Sequence, residues 1–266
     1  MRKVSIVMGG RGRPNATRRT LKSYTKLSYP NWELLFMDVI HFGINLEKVV
    51  RGFEDKLPIR YIPLQEDMKT YTPDVTTWTP ATTWNTGIRA STGDFIITCS
   101  ADILLSYPDM IEKFLDQYNG NRISVTTYHL TGDMTNALDT FDWMSNPDVI
   151  KNLPGFWDTP VWCGSPNTAM GVAGLVTFIT GQPKDMWEYM GMFRTDLSHL
   201  VNDQDLMLRD RALGREVNTL ENYYGYHQAH NAEPDFQSGV NNMYPGWTYQ
   251  NEAQARLLEP AKRDAA

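Results

Sequence analysis

The chain has 266 residues, 41% of them hydrophobic and 21% charged, so neither a disordered nor a collagen-like protein is expected. Its 25 Lys and Arg residues against 31 Asp and Glu residues give a net charge of −6, which disfavours general binding to nucleic acid phosphates. Two cysteines do not make a disulfide framework, and no apolar run approaches the roughly 20 residues that span a bilayer. We therefore expect a soluble globular protein with no membrane span, located in the cytoplasm.

Short apolar segments alternate with amphipathic segments along the chain. Buried strands are predicted at 3–8, 32–38, 59–62, 95–99, 123–129, 172–180 and 215–219. Helices are predicted at 15–26 with Asn15 as the N-cap, and at 46–53, 81–90, 108–118, 183–190, 203–213 and 251–258. Strands that alternate with helices in this way indicate an α/β fold, with a mixed, mainly parallel sheet flanked by helices.

Two segments interrupt the alternation. Residues 65–80 are polar and contain prolines and threonines, which predicts a loop. Residues 131–170 are rich in Trp, Pro, Gly, Asn and Asp and have no clear hydrophobic period. We interpret this second segment as a long insertion with a functional role.

Polar side chains lie where several predicted elements begin or end. Asp38 ends the strand at 32–38, Ser100 and Asp102 follow the strand at 95–99, and Asp203 begins a late helix. Each alone is also ordinary turn or cap chemistry. In open α/β sheets, however, ligands bind beyond the carboxyl ends of the strands. Their joint placement therefore indicates a binding site at that edge of the sheet.

A series of short motifs follows the same order along the chain. The motifs are Val4-Ser5-Ile6-Val7, Arg13-Pro14, Tyr29-Pro30-Asn31-Trp32-Glu33 with Asp38, Asn85-Thr86-Gly87-Ile88, Gly93-Asp94-Phe95-Ile96, Ala101-Asp102-Ile103-Leu104, and Asn202-Asp203-Gln204-Asp205-Leu206 with Arg209 and Gly214. In this order they resemble family 2-type glycosyltransferases, which have the Rossmann-like GT-A fold of nucleotide-diphospho-sugar transferases. The resemblance covers about residues 3–230. It implies a catalytic domain at 1–232, in which 131–170 is an insertion on the acceptor side, and a C-terminal extension at 233–266.

The resemblance implies a nucleoside diphosphate sugar as the donor, with Asp38 on its nucleobase. The donor-binding residues that it implies are Gly9, Arg11, Arg13, Asp38, Asn85, Ser100, Ala101 and Asp102. A divalent cation, Mn²⁺ or Mg²⁺, would neutralise the diphosphate, with Asp102 and His227 as its ligands and His230 as the alternative to His227. The chain departs from the family at Ser100, where the first acid of an Asp-x-Asp motif is expected, and at Trp84, where the family has an Arg.

For the transfer itself, the resemblance implies inversion, with Asp203 as the base that takes the proton of the acceptor hydroxyl. Asn202 stands where the family has a Glu and is expected to contact the acceptor, together with Trp157 and Trp162. Trp187 is either a further ring of this kind or a core residue. Arg209 is expected to pair with Asp205 one helical turn away. The acceptor is a glycan or, less favoured, a modified nucleic acid.

Three alternatives stay open at this point. The run from Gly9 to Arg13 partly matches the glycine-rich loop of sugar-phosphate nucleotidylyltransferases, where backbone N–H groups bind phosphate. The loss of an acid at Ser100 also suits a module that binds nucleotides or carbohydrates without turnover. An enzyme that glycosylates a modified base would need a local basic face, for which the candidates are Arg11, Arg13, Arg18, Arg19 and Lys22.

Overall fold

The structure, a computed structural model, describes residues 1–40, 45–65, 80–105, 107–140, 143, 147–153, 156, 178–195 and 199–229. Within these residues the strands are β1 (Val4–Gly10), β2 (Trp32–Ile40), β3 (Ile59–Gln65), β4 (Phe95–Ser100), β5 (Ile103–Leu105), β6 (Arg122–His129), β7 (Ile179–Pro183) and β8 (Val217–His227). The helices are α1 (Pro14–Tyr24), α2 (Glu47–Arg51), α3 (Pro80–Ala90), α4 (Met110–Gln117), α5 (Gly132–Ala137), α6 (Lys184–Tyr189) and α7 (His199–Ala212), with a 3₁₀ helix at Pro147–Asn152.

The strands form one mixed sheet in the order β3-β2-β1-β4-β7-β6-β8-β5. The first four in this order run parallel, β7 is antiparallel to both of its neighbours, and β6 and β8 are parallel. Gly10 pairs with Asp38, and Gly9 pairs with Ser100. The carboxyl ends of β1, β2 and β4 therefore meet at one edge, which we call the carboxyl edge.

Helices cover both faces of the parallel part of the sheet, which explains why its strands are apolar throughout. On β2, Leu34 and Phe36 belong to one apolar cluster, whereas Leu35 and Met37 belong to another on the opposite face. Successive side chains of a strand point to opposite faces, so a strand that is buried on both sides has no polar alternation. A third cluster around Trp143 packs beside β5 and β8.

Most predicted elements are confirmed, but their ends differ. Helix α1 begins at Pro14, so Asn15 is not its N-cap. Proline suits the first helical turn because no N–H is needed there. Helix α7 begins at His199, four residues before the predicted start. The last strand was expected to end at residue 219 and instead continues to His227, which brings its end to the carboxyl edge.

Two described elements were not predicted. Strand β5 has three residues, which is too short to show a period, and α5 lies inside the segment interpreted as an irregular insertion. The strand expected at 172–180 is found at Ile179–Pro183, and residues 172–177 lie outside the described residues. So do the C-terminal extension at 233–266 and the helix predicted at 251–258.

The described part of the chain contains no helix with the length and apolar character needed to cross a bilayer. The expected cytoplasmic location stays a prediction.

Candidate active site

Asp102 lies at the carboxyl edge, in the two-residue link between β4 and β5. The link is fixed by its neighbour Ala101, whose N–H donates to the carbonyl of Gly9 at 2.8 Å. The Asp102 side chain is buried and forms an ion pair with Arg13, which follows β1. Its Oδ2 also lies 3.5 Å from Nε2 of His227, the last residue of β8. The fold thus brings together an acid, a guanidinium and an imidazole from three separate parts of the chain.

Gln228 stabilises the contact between the end of β8 and the β4–β5 link through several hydrogen bonds. Its backbone N–H donates to the carbonyl of Asp102 at 3.0 Å. Its side-chain Nε2 donates to the carbonyl of Ala16 and to Oγ1 of Thr20, both at 3.0 Å, so the end of β8 is tied to α1. A buried amide with several bonds holds its surroundings in one arrangement. Sequence reasoning missed Gln228, and nothing in its local pattern distinguishes it.

His227 is enclosed by two rings. It stacks on His129 with ring centroids 4.5 Å apart and an interplanar angle of 26°, and Phe178 lies 4.8 Å away on a tilted plane. His129 ends β6 and pairs with His227 in the strand register. His129 is an exposed residue, but desolvation of its ring, followed by the effect of the neighbouring His227, lowers the pKa of His129 to about 4. His129 is therefore neutral near pH 7, and its place at a strand end is a signal that sequence reasoning could have used.

Asp102 and His227 are suitable ligands for a divalent cation, but they are only two. No group of three or more His, Cys, Asp or Glu side chains placed to hold a metal occurs within the described ranges. Mg²⁺ is often held by one or two protein groups together with substrate phosphates, and Mn²⁺ accepts the same oxygen ligands. The residues present therefore fit a cation that shares its coordination with a diphosphate. His230, the alternative ligand, lies outside the described residues.

Asp38 is buried near the end of β2, and two hydrogen-bond donors contact its carboxylate. Its Oδ2 accepts from the backbone N–H of Leu46 and from the hydroxyl of Tyr61, both at 2.6 Å. Its Oδ1 is also buried and has no hydrogen-bond partner among the residues that the structure describes. Burial raises the pKa of Asp38, and the two hydrogen bonds offset part of this rise. One carboxylate oxygen is thus held in place while the other keeps its capacity to accept.

The turn between β1 and α1 is short. Gly9 and Gly10 belong to β1, and a Cβ at Gly10 would lie 2.6 Å from Cζ of Phe36. Only Arg11, Gly12 and Arg13 remain for the turn, in which Gly12 has a φ of 60°. Two of the glycines therefore serve close packing of the strand. The run from Gly9 to Arg13 therefore supplies a turn of only three residues between β1 and α1.

Helix α7 carries Asn202 and Asp203, which are 1% and 7% exposed. Because α7 begins at His199, Asp203 lies in its second turn and does not open the helix. Neither amide atom of Asn202 has a hydrogen-bond partner among the described residues. A buried amide without partners is costly, which is consistent with a position that a ligand completes.

The expected pair between Asp205 and Arg209 is confirmed, with Nη2 of Arg209 2.7 Å from Oδ2 of Asp205. The same guanidinium donates to the carbonyls of Met190 and Met192, so it also holds the segment between α6 and α7.

The family model described as glycosyl transferase family 2 matches residues 5–162, which is more than half of the chain. The chain belongs to this family. No curated protein matches it.

Solved structures give the same fold. S. aureus TarS matches with a TM-score of 0.58 and 13% identity over 87% of this chain and 37% of that one. The mannosyltransferase PcManGT from Pyrobaculum calidifontis, in complex with GDP-Man and Mn²⁺, has a TM-score of 0.58 and 14% identity, over 87% of this chain and 58% of that one. S. aureus TarS 1-349 in complex with UDP-GlcNAc has a TM-score of 0.56 and 12% identity, over 88% of this chain and 61% of that one. The GT-A fold is thus confirmed, and the chain spans less than two thirds of each of these three structures.

Asn85 has a supporting contact with Phe193. Its Nδ2 donates to the carbonyl of Phe193 at 2.7 Å, and its Oδ1 accepts from the N–H of Phe193 at 3.0 Å. Trp84, which replaces the Arg of the family pattern, is buried, with its ring 4.9 Å from that of Phe193, and donates to the carbonyl of Cys99. Trp84 therefore brings no charge to the site. Donor binding by Asn85, like that by half-buried Ser100, stays a prediction.

The tryptophans of α6 and of the insertion at 131–170 fall into two groups. Trp187 is fully buried, stacks on Phe193 at 5.2 Å and donates from Nε1 to the carbonyl of Ile96, so it is a core residue. Trp143 is buried in the third apolar cluster. Trp157 and Trp162 lie outside the described residues, and their contact with the acceptor stays a prediction.

The basic cluster near α1 is partly neutralised. Arg13 pairs with Asp102, and Arg19 pairs with Asp139 through both ends of its guanidinium. Arg18 donates to the side chain of Asn15. Because these arginines bond to other side chains of the same chain, the case for a basic face that binds nucleic acid is weaker.

Proposed function

We propose that this glycosyltransferase moves a sugar from a nucleoside diphosphate sugar to an acceptor hydroxyl, with inversion at the anomeric carbon and with help from a divalent cation. The observation that carries the proposal is the position of Asp102, which is buried at the carboxyl edge between Arg13 and His227. In open α/β sheets, this edge is where ligands bind. The structures of PcManGT with GDP-Man and of TarS with UDP-GlcNAc support a donor of this class.

Arg13 and Asp102 would form the diphosphate site. A guanidinium binds phosphate oxygens with two parallel N–H donors, so the diphosphate competes with Asp102 for Arg13. Asp102 and His227 would then hold Mn²⁺ or Mg²⁺, which supplies positive charge to the leaving diphosphate. Ser100, the last residue of β4, and Ala101, which follows it, would offer a hydroxyl and backbone groups to the same ligand.

Asp38 would accept a hydrogen bond from the nucleobase. Its buried Oδ1 is the acceptor, while Tyr61 and Leu46 fix the other oxygen. Uracil and guanine both present a ring N–H next to a carbonyl, so this contact suits either base. The raised pKa of Asp38 implies that nucleotide binding weakens in acid, when the carboxylate takes up a proton.

Asp203 would act as the general base. The acceptor oxygen attacks the anomeric carbon on the face opposite the diphosphate, and the hydroxyl proton passes to the Asp203 carboxylate. As the new C–O bond forms, the bond to the diphosphate breaks, and its electron pair leaves with the nucleoside diphosphate. Asn202, buried beside Asp203 with both amide atoms available, would orient the acceptor together with Trp157 and Trp162.

The test compares Asp203→Asn with the wild type. We expect calorimetry to give similar affinities for UDP or GDP in the presence of Mn²⁺, because Asp203 is not placed in the donor site. Release of UDP from UDP-GlcNAc, or of GDP from GDP-mannose, should fall by about 10²- to 10⁴-fold without the base. The matched control is Asp205→Asn on the same helix, which loses only the pair with Arg209.

Each result has a definite meaning. If Asp203→Asn turned over as fast as the wild type, the assignment of the base would be wrong. If the wild type bound a nucleotide but released none from any donor sugar, the alternative suggested by Ser100, a binding module without turnover, would replace the proposal.

A further inference from the structure

A fully buried ion pair connects the sheet to α7, away from the site described above. Arg122 begins β6, and Asp210 lies near the end of α7; both side chains are 0% exposed. Nε of Arg122 donates to Oδ2 of Asp210 at 2.8 Å, and its Nη1 donates to Oγ1 of Thr180 on β7 at 3.1 Å. The proposed mechanism uses neither charge.

A contribution to folding stability does not by itself explain why this ion pair is buried. Removing two charges from water costs several kcal/mol per ion, and apolar side chains of similar volume often give equal or greater stability. A buried pair does fix geometry, because the guanidinium fork accepts few orientations. The pair therefore holds α7 at one position against β6 and β7.

Asp203 lies on the same face of α7 as Asp210. The two are seven residues apart, which is about two helical turns and roughly 10 Å along the axis. Burial lowers the pKa of Arg122, and the negative charges of Asp210 and Asp203 both counteract this effect. Nη2 of Arg122 is buried and has no hydrogen-bond partner among the described residues, so this N–H group of the guanidinium is available to donate.

Other charged groups lie on and around α7 in the part of the chain that the structure describes. Asp205 and Arg209 on α7 pair with each other at the half-buried side of the helix. Arg215, which follows α7, lies 3.7 Å from Asp210 and opposes the effect of the acids on Arg122. Strand β7 has no charged residue, and the charged residue of α3, Arg89, is exposed.

We propose that Arg122 is a positioning residue for the base: with Asp210 it fixes the helix that carries Asp203, and its positive charge keeps the Asp203 carboxylate ionised until the acceptor arrives. This inference rests on the proposed function, because it needs Asp203 to be the base.

Two single variants separate charge from geometry. Arg122→Gln and Asp210→Asn both break the ion pair, but they remove charges of opposite sign. Loss of the cation makes Asp203 harder to ionise, so the acid limb of kcat/KM should move to higher pH. Loss of the anion makes ionisation easier, so the limb should move to lower pH. Asp203 and Asp210 are separated by roughly 10 Å along the helix axis, and removing a charge at about that distance, at an effective dielectric of about 20, shifts a pKa by roughly one unit.

The assay is release of UDP from UDP-GlcNAc or of GDP from GDP-mannose as a function of pH, whichever donor the wild type uses. Arg122→Lys keeps the charge but loses the fork, so its acid limb should stay in place while kcat falls several-fold. Lys113→Gln is the control for loss of a cation, because Lys113 pairs with exposed Asp116 at 3.8 Å on the surface of α4. It should match the wild type in kcat and in pH profile.

A purely structural role predicts a different result. Arg122→Gln and Asp210→Asn would then lose activity alike, with no shift or with shifts in the same direction, and the proposal would be overturned. If a single variant does not fold, the double variant Arg122→Gln with Asp210→Asn removes both charges of the pair at once and leaves Arg215 with its hydrogen bond to Gln182. The double variant should fold, bind nucleotide like the wild type and show a kcat about tenfold lower; a wild-type kcat would also overturn the proposal.

Failure of the proposed function gives other signs. In that case the wild type releases no nucleotide, or Asp203→Asn remains active, before any variant of the ion pair is examined. The ion-pair inference alone would be refuted by a different set of results. The wild type would be active and Asp203→Asn inactive, while Arg122→Gln and Asp210→Asn would show no shift in the acid limb of kcat/KM.

Discussion

The contact between Tyr61 and Asp38 gives the sharpest test of the nucleobase site. Tyr61 lies on β3, and its hydroxyl donates to Oδ2 of Asp38 at 2.6 Å. Burial and the neighbouring carboxylate raise the pKa of Tyr61, so the hydroxyl keeps its proton at neutral pH and remains a donor. The variant Tyr61→Phe removes this donor and changes little else, because the two rings have the same shape.

A hydrogen bond to a charged group is worth about 1.5–3 kcal/mol, and the partial exposure of Tyr61 argues for the lower end of that range. Loss of about 1.5 kcal/mol from the ionised form corresponds to a rise of about one unit in the pKa of Asp38, because one unit equals about 1.4 kcal/mol. The carboxylate is the form that accepts from the nucleobase. Nucleotide binding by Tyr61→Phe should therefore weaken as pH falls, starting about one pH unit higher than in the wild type.

The assay is calorimetric titration with UDP and GDP in the presence of Mn²⁺ between about pH 5 and 8. Tyr223→Phe is a matched control, because the hydroxyl of Tyr223 donates to Oδ2 of Asp109 at 2.7 Å, away from the carboxyl edge. The free energy of unfolding of Tyr223→Phe should fall by about as much as that of Tyr61→Phe, but Tyr223→Phe should bind nucleotide like the wild type. Equal affinities and equal pH dependence for Tyr61→Phe and the wild type would refute the assignment of Asp38 to the nucleobase.

Two further predictions concern the support of the site. Asn85→Ala leaves the N–H and carbonyl of Phe193 without their partners, so the free energy of unfolding should fall by about 2–4 kcal/mol; a loss below 1 kcal/mol in urea denaturation would show that water replaces the amide. Trp187→Ala removes a fully buried ring and should cost about 3–5 kcal/mol. If thermal unfolding of Trp187→Ala matched the wild type while turnover fell, Trp187 would contact the acceptor and its core assignment would be wrong.

The strands and helices of the first half were predictable because a strand that is buried on both faces has an uninterrupted apolar sequence. The run from Leu34 to Met37 is apolar without interruption, as a strand covered by helices on both sides must be. The later elements were less predictable. Strand β5 has only three residues, and the continuation of β8 to His227 includes polar residues, so no hydrophobic period marks either one.

The candidate site was predicted in part by the same rule. Asp38 lies near the end of β2 and Asp102 follows β4. Because parallel strands end at one edge, the order of the sequence was enough to bring the two acids to that edge. The rule applies equally to His129, which ends β6 and was overlooked. It could not find Arg122 or Gln228, because the hydrogen-bond partners of these side chains lie at least 58 and 126 residues away along the chain.

The sequence by itself determined the α/β alternation, the family to which its ordered motifs point, and the acids that belong at the carboxyl edge. Only the tertiary structure decided which groups those acids contact: Arg13 and His227 with Asp102, Tyr61 and Leu46 with Asp38. The reason is physical. Secondary structure and strand ends follow from local hydrophobic patterns, whereas ion pairs and buried hydrogen bonds depend on strand order and register, which arise from contacts between distant parts of the chain.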